Sequence, residues 1–124
     1  MAHEDLTEKI IGAAMRVHSA LGPGLLESTY HACLQYEFAT VGLHFESQVK
    51  LPVVYREITL EVGYKIDFWV ENAVIVEIKA VEKLLPIHFA QVLTYLKLRP
   101  SSVGLLINFN VAHLRSGIRR VVNG

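Results

Sequence analysis

Asp67, Glu77 and Lys79 lie in the stretch GYKIDFWVENAVIVEIKA, residues 63–80, among Ile, Phe, Trp and Val. Two carboxylates and an ammonium within apolar strands are costly to bury unless they are paired or hold an ion. Strand side chains alternate between faces, so Lys65, Asp67 and Trp69 share one face, and Tyr64, Ile66, Phe68 and Val70 the other. On the following strand, Ile75, Glu77 and Lys79 oppose Val74, Val76, Ile78 and Ala80. With Glu71-Asn72-Ala73 as a hairpin loop, Asp67 lies directly across from Glu77. Like charges in that position repel, so the arrangement asks for a cation. Lys79 supplies part of that charge, and a divalent metal held by two carboxylates would supply more.

Two helices carry the other polar candidates. At about 100° per residue, Glu27 heads a stripe with Tyr30, Leu34, Phe38 and Val41, so an acid stands at the start of a sheet-facing helix. The helix dipole tolerates it there. Further on, Gln91 and Tyr95 are four apart and share a helix face, with His88 on the same side and Phe89, Val92, Leu93 and Leu96 as the adjacent apolar stripe.

The elements that must position these residues follow from patterning. Asp5-Leu-Thr-Glu8 reads as a helix cap, and Ile10, Ala14, Val17 and Leu21 recur at helical spacing to about Ala20. Gly22-Pro23-Gly24 stops that helix, and a second runs to about Val41 and ends at Gly42. Residues 47–55 and 58–70 read as two strands broken near Arg56-Glu57, and 74–80 as a third. Pro86 opens a helix that ends before Pro100, and Val103 to Phe109 suits a buried strand. The order is ααβββαβ, with a C-terminal segment whose type the pattern leaves open.

Composition sets the bounds. A chain of 124 residues, 52% hydrophobic and 19% charged, fits one α/β domain over residues 1–124 with a real core. No apolar run suggests a membrane span, and MAHEDLTEK lacks the pattern of a secretory signal. Cys33 is the only cysteine, which excludes an intrachain disulfide and points to a reducing cytoplasm. Its neighbours Leu26, Tyr30 and Ala32 suggest a packed thiol rather than a nucleophile. Twelve basic residues balance twelve acidic ones, so any affinity for a polyanion must come from a local patch. No phosphate loop, G-x-S-x-G or H-E-x-x-H is present, and the ligand spacing of a zinc site is missing.

Asp67 followed by Glu77-x-Lys79 on the next strand resembles the PD-(D/E)xK nuclease superfamily. Gly24-Leu-Leu-Glu27-Ser-Thr-Tyr30 resembles the motif that names its GxxExxY branch. VEKLLPIHFAQVLTYLKL and GLLINFNV look like later blocks of that branch, and Gln91 to Tyr95 is similar to the Q-x-x-x-Y motif of RecB-like and lambda-exonuclease-like nucleases. Ile66 stands where the superfamily name has Pro, a position that supplies no metal ligand.

The resemblance implies a restriction-endonuclease-like αβββαβ core, a mixed central sheet flanked by helices, with an extra N-terminal helix. It also implies metal-assisted hydrolysis of nucleic acid, DNA ahead of RNA, with Mg²⁺ or Mn²⁺ as hard, oxygen-seeking ions. In that scheme Asp67, Glu77 and the backbone carbonyl of Ile78 hold the ion, and Glu27 holds a second ion or a water. Lys79 acts on the water and phosphate, while Gln91 and Tyr95 position the strand. His18 is a candidate neighbour of the metal, and Lys97, Arg99, Arg115, Arg119 and Arg120 are candidate phosphate contacts. The other reading is a non-cleaving nucleic-acid-binding or protein-interaction module on the same fold. A homo-oligomer is left open.

Overall fold

Five short strands meet in one sheet because the apolar runs of the chain are cut at points where the backbone cannot continue a ladder. The computed structural model describes residues 3–124. Two helices, α1 (Glu4–Leu21) and α2 (Glu27–Thr40), precede β1 (Phe45–Lys50), β2 (Val53–Tyr55), β3 (Ile58–Leu60), β4 (Lys65–Val70) and β5 (Val74–Lys79). Helix α3 (Pro86–Leu98), β6 (Val103–Asn108), a 3-10 turn (Leu114–Gly117) and β7 (Ile118–Val122) complete the chain. The main sheet has the order β1-β4-β5-β6-β7, and β2 and β3 form a separate hairpin. Among the described strands only β5 and β6 run parallel, joined through α3, as a parallel pair requires a crossover. This is the α/β fold expected from the sequence, a mixed central sheet flanked by helices with an extra N-terminal helix.

The fold departs from the pattern reading at several points. Each of the two long strands expected over 47–55 and 58–70 is divided in two: Pro52 has no N–H to donate, and Gly63 turns the chain at φ +87°. Asp5 does not cap α1, which begins at Glu4 after His3; Asp5 sits inside the first turn with Glu4, where acids suit the helix dipole. The C-terminal segment is the 3-10 turn and a strand that pairs antiparallel with β6.

One core lies beneath α1 and α2, from Ile10, Val17, Tyr30, Leu34 and Phe38 to Phe68, Val76 and Ile78. A second lies beneath α3, where Ile66, Trp69, Ile75 and Leu106 meet Val92, Tyr95 and Leu96. Phe68 and Val70 therefore face α2 while Ile66 faces α3, so the expected common face of these three is wrong. Strand β1 changes face at the same level, with Phe45 in the first core and Val49 against the second. The two strands keep one register from Phe45↔Val70 to Lys50↔Lys65, and Gln48, level with Asp67, adopts φ +55°. That left-handed residue turns both strands over beside Asp67, and such backbone strain concentrates at functional sites.

Candidate active site

The β4–β5 hairpin closes on Glu71 and Asn72, both at φ +52°, with Ala73 N–H donating to Val70 O at 3.0 Å. Trp69 Nε1 donates to the Asn72 side chain at 3.1 Å, and the pairs Val70↔Val74, Trp69↔Ile75 and Phe68↔Val76 follow. At Asp67 the backbone ladder gives way to side chains. Asp67 N–H donates to Glu77 Oε2 at 2.7 Å, and Ile78 N–H donates to Asp67 Oδ2 at 2.8 Å. Each carboxylate thus takes an N–H from the opposite strand, which brings the two acids to the same point of the hairpin. The opposition of Asp67 and Glu77 read from the hairpin is here a clasp rather than an open pair.

Glu77 is only 4% exposed. Burial, and then the neighbouring Asp67 charge, push its carboxyl up to about 9. Alternation on β5 puts Glu77 and Lys79 on the face of Ile75, beneath α3. There Lys79 Nζ lies 3.5 Å from Gln91 Oε1, and Gln91 Nε2 donates to Tyr95 Oη at 3.0 Å. Burial and the charge of Glu77 raise the Tyr95 hydroxyl to about 12, so it stays protonated. Asp67, Glu77, Lys79, Gln91 and Tyr95 are therefore brought together as one polar chain.

Glu27 reaches this cluster from α2. Its carboxyl is raised first by desolvation and then by Asp67, and is lowered by Lys79 and His31. Tyr30 makes that approach possible: its hydroxyl donates to Gly22 O at 2.6 Å and accepts from Leu25 N–H at 3.2 Å. Its ring stacks on Phe109 at 4.6 Å. Gly24, at φ +97°, donates its N–H to Asn110 Oδ1 at 3.1 Å. The turn before Glu27 is thus pinned to the end of β6.

The same end of β6 holds the exit of β5. Asn108 is buried, and its amide both accepts from Val81 N–H at 3.0 Å and donates to Val81 O at 2.9 Å. Gly117 allows the returning chain to pass over it, since a Cβ there would lie 2.2 Å from Asn108 O.

His31, not singled out by pattern, joins the site. One helical turn after Glu27, it stacks on Phe68 at 4.3 Å, and its Nε2 lies 3.4 Å from Asp67 O and 3.2 Å from Gln48 Nε2. Its spacing of four from Glu27 was the available signal. His18 is elsewhere, buried with Nε2 2.8 Å from Val111 O. His88 accepts from Leu85 N–H at 3.0 Å at the start of α3 rather than joining Gln91.

Several of the candidate phosphate contacts are engaged within the fold. Arg99 lies over the Trp69 ring at 5.3 Å and pairs with Glu46 at 3.8 Å. Arg120 donates to Thr7 on α1 at 3.1 Å, and Arg119 bonds the carbonyls of Ser116 and Ile118. Arg115 sits on the 3-10 turn and Lys97 in the last turn of α3.

Two carboxylates beside an open strand end suit a hard cation with oxygen ligands. Among the described residues no three His, Cys, Asp or Glu side chains form a ready-made cage, so such an ion would complete its shell with water, backbone or substrate oxygen.

A family model described as the PD-(D/E)XK nuclease superfamily matches residues 4–121. No curated protein and no solved structure matches the chain. Among the described residues no helix is long and apolar enough to cross a membrane.

Proposed function

The chain belongs to the PD-(D/E)XK nuclease superfamily, and from that membership we propose a Mg²⁺- or Mn²⁺-dependent nuclease that hydrolyses phosphodiester bonds of DNA. We assign it to the GxxExxY branch, because Gly24, Glu27 and Tyr30 work as one unit, with Tyr30 holding the turn that presents Glu27. The observation that carries the proposal is the Asp67–Glu77 clasp, in which Glu77 is buried and Asp67 half-buried. Each acid is held by an N–H of the opposite strand, and burial with the neighbouring Asp67 charge pushes the Glu77 carboxyl up to about 9. Such a pair fits a divalent ion that would replace the proton on Glu77.

Asp67, Glu77 and the carbonyl of Ile78 would hold the ion, which when bound acidifies water and offsets charge on the phosphate. Lys79, held toward Gln91, whose amide is bonded to Tyr95, would face the phosphate oxygens on which negative charge grows. Glu27, with its raised carboxyl, is suited to take the proton released as the water oxygen bonds to phosphorus. One ester P–O bond breaks in the same displacement, and the departing oxygen takes a proton from solvent.

The test is cleavage of labelled DNA and RNA with Mg²⁺, Mn²⁺ or EDTA. Cleavage of DNA that needs the ion and is lost in Asp67→Asn supports the proposal. Folded protein that cuts neither polymer with either ion overturns it and favours the non-cleaving module.

A further inference from the structure

Lys50 and Lys65 are direct cross-strand partners at the end of the β1–β4 ladder, two residues from Gln48 and Asp67. Like charges in that position destabilise a sheet. Among the described residues neither lysine has an ion-pair partner. Glu61 shares their pocket without bridging to either. Tyr64 lines that pocket too, and its carbonyl accepts from Leu51 N–H at 2.9 Å, which fixes its backbone.

Tyr64 also lines a groove of about 380 Å³, together with Val53, Ile87, Leu98, Gln91 and Tyr95. That volume lies within the roughly 300–1,000 Å³ of small-molecule sites. No lysine or arginine lines the groove, although it opens onto the residues proposed to handle the phosphate. Tyr64 is 46% exposed and Ile87 67%, so its walls are wet and apolar.

We infer that these two features read a single strand: Lys50 and Lys65 take phosphates beside the scissile one, and an unpaired base enters the groove against Tyr64. The inference rests on the nuclease reading and names its substrate as single-stranded DNA. A duplex presents phosphates on its outside and keeps its base faces stacked, so it has nothing to offer an apolar groove. A single strand can turn a base onto an aromatic ring while its backbone follows the lysines. The unpaired lysines match the phosphate charge, and the groove is continuous with the candidate centre through Gln91 and Tyr95.

The experiment is fluorescence anisotropy of wild-type protein in EDTA, where no cleavage is expected, with a labelled 20-nucleotide single strand and the blunt duplex of the same sequence. The single strand should bind more tightly. Tyr64→Ala should weaken it by about tenfold with the salt dependence unchanged, and Tyr64→Phe should restore it. Lys50→Ala and Lys65→Ala should each flatten the log–log salt slope by about 0.7. Duplex binding equal to or tighter than single-strand binding overturns the inference, as does a Tyr64→Ala variant, folded by circular dichroism, that binds like wild type. Because this assay needs no cleavage, it separates the two readings. Duplex preference in a protein that cuts DNA removes only this inference, while single-strand preference in a protein that never cuts upholds the strand-reading role of the lysines and Tyr64 and removes the nuclease reading.

Discussion

Glu77 Oε2 accepts the backbone N–H of Asp67 at 2.7 Å, and Asp67 Oδ2 accepts that of Ile78 at 2.8 Å, so each acid occupies a ladder position that a backbone carbonyl would otherwise fill. The hairpin stays anchored where it opens, with one acid from each strand crossing to the other. Burial and the Asp67 charge favour the protonated form of Glu77, and in the proposed scheme a divalent ion would take the place of that proton.

That competition predicts a pH effect. The folded-state pKa of Glu77 is raised, to about 9 from 4.5, so between these values the folded protein holds a proton that the unfolded chain has released. Stability is then fully present below about 4.5 and falls as pH rises toward 9, by at most about 1.4 kcal/mol per pH unit. Urea unfolding at a series of pH values in EDTA should show the decline, and Glu77→Gln should flatten it. Added Mg²⁺ or Mn²⁺ should oppose it, since an ion that binds only the folded state stabilises that state.

Asp67→Asn and Asp67→Ala should behave differently. Asn keeps an oxygen for Ile78 N–H and removes the charge that faces Glu77, so the metal-free protein should gain thermal stability while losing divalent binding and cleavage. Ala also relieves the repulsion, but it leaves the buried Ile78 N–H without a partner, at a cost of about 1–3 kcal/mol. Thermal melts in EDTA should therefore rank Asn above both wild type and Ala, and calorimetry should detect no ion binding to either variant.

What could be read from the sequence was set by periodicity. The apolar repeat of α2 and the alternation on β5 brought Glu27, Glu77 and Lys79 toward one place, because each lies on an uninterrupted element. Alternation failed at Ile66, where β1 and β4 turn over together at Gln48, a left-handed residue with no glycine to signal it. The pinning of the Glu27 turn by Tyr30 and Asn110 was also hidden, since Gly24 and Asn110 are 86 residues apart. Spacing can bring residues of one element onto a common face, but it carries no trace of a hydrogen bond closed by the tertiary fold. The arginines misled for a similar reason: Arg119 and Arg120 are adjacent on an edge strand, where alternation sends neighbours to opposite faces.

Tyr30→Phe tests the turn. The variant keeps the ring stacked on Phe109 and loses both bonds of the hydroxyl, to Gly22 O and Leu25 N–H. Stability should fall by about 1–2 kcal/mol. If Tyr30 positions Glu27, kcat should drop toward that of Glu27→Gln while KM changes little, and adding Tyr30→Phe to Glu27→Gln should reduce kcat little further. A purely structural hydroxyl would lower stability and leave the kcat of the folded fraction intact.

Lys79, Gln91 and Tyr95 form the last testable chain. Tyr95 Oη is the acceptor that orients the Gln91 amide, leaving the Gln91 oxygen toward Lys79. Lys79→Ala should lower cleavage by about two orders of magnitude, in the range found when one transition-state donor is removed. It should leave ion binding nearly unchanged, because in the proposed scheme the lysine serves the phosphate rather than the ion. Tyr95→Phe removes only the acceptor, freeing Gln91 to turn and Lys79 to wander, so a smaller loss of about tenfold in kcat is expected. Cleavage rates and ion calorimetry on the two single variants and the double variant decide the matter. Coupled residues should lose less together than the two single losses combined, whereas full additivity would show that Tyr95 acts apart from Lys79.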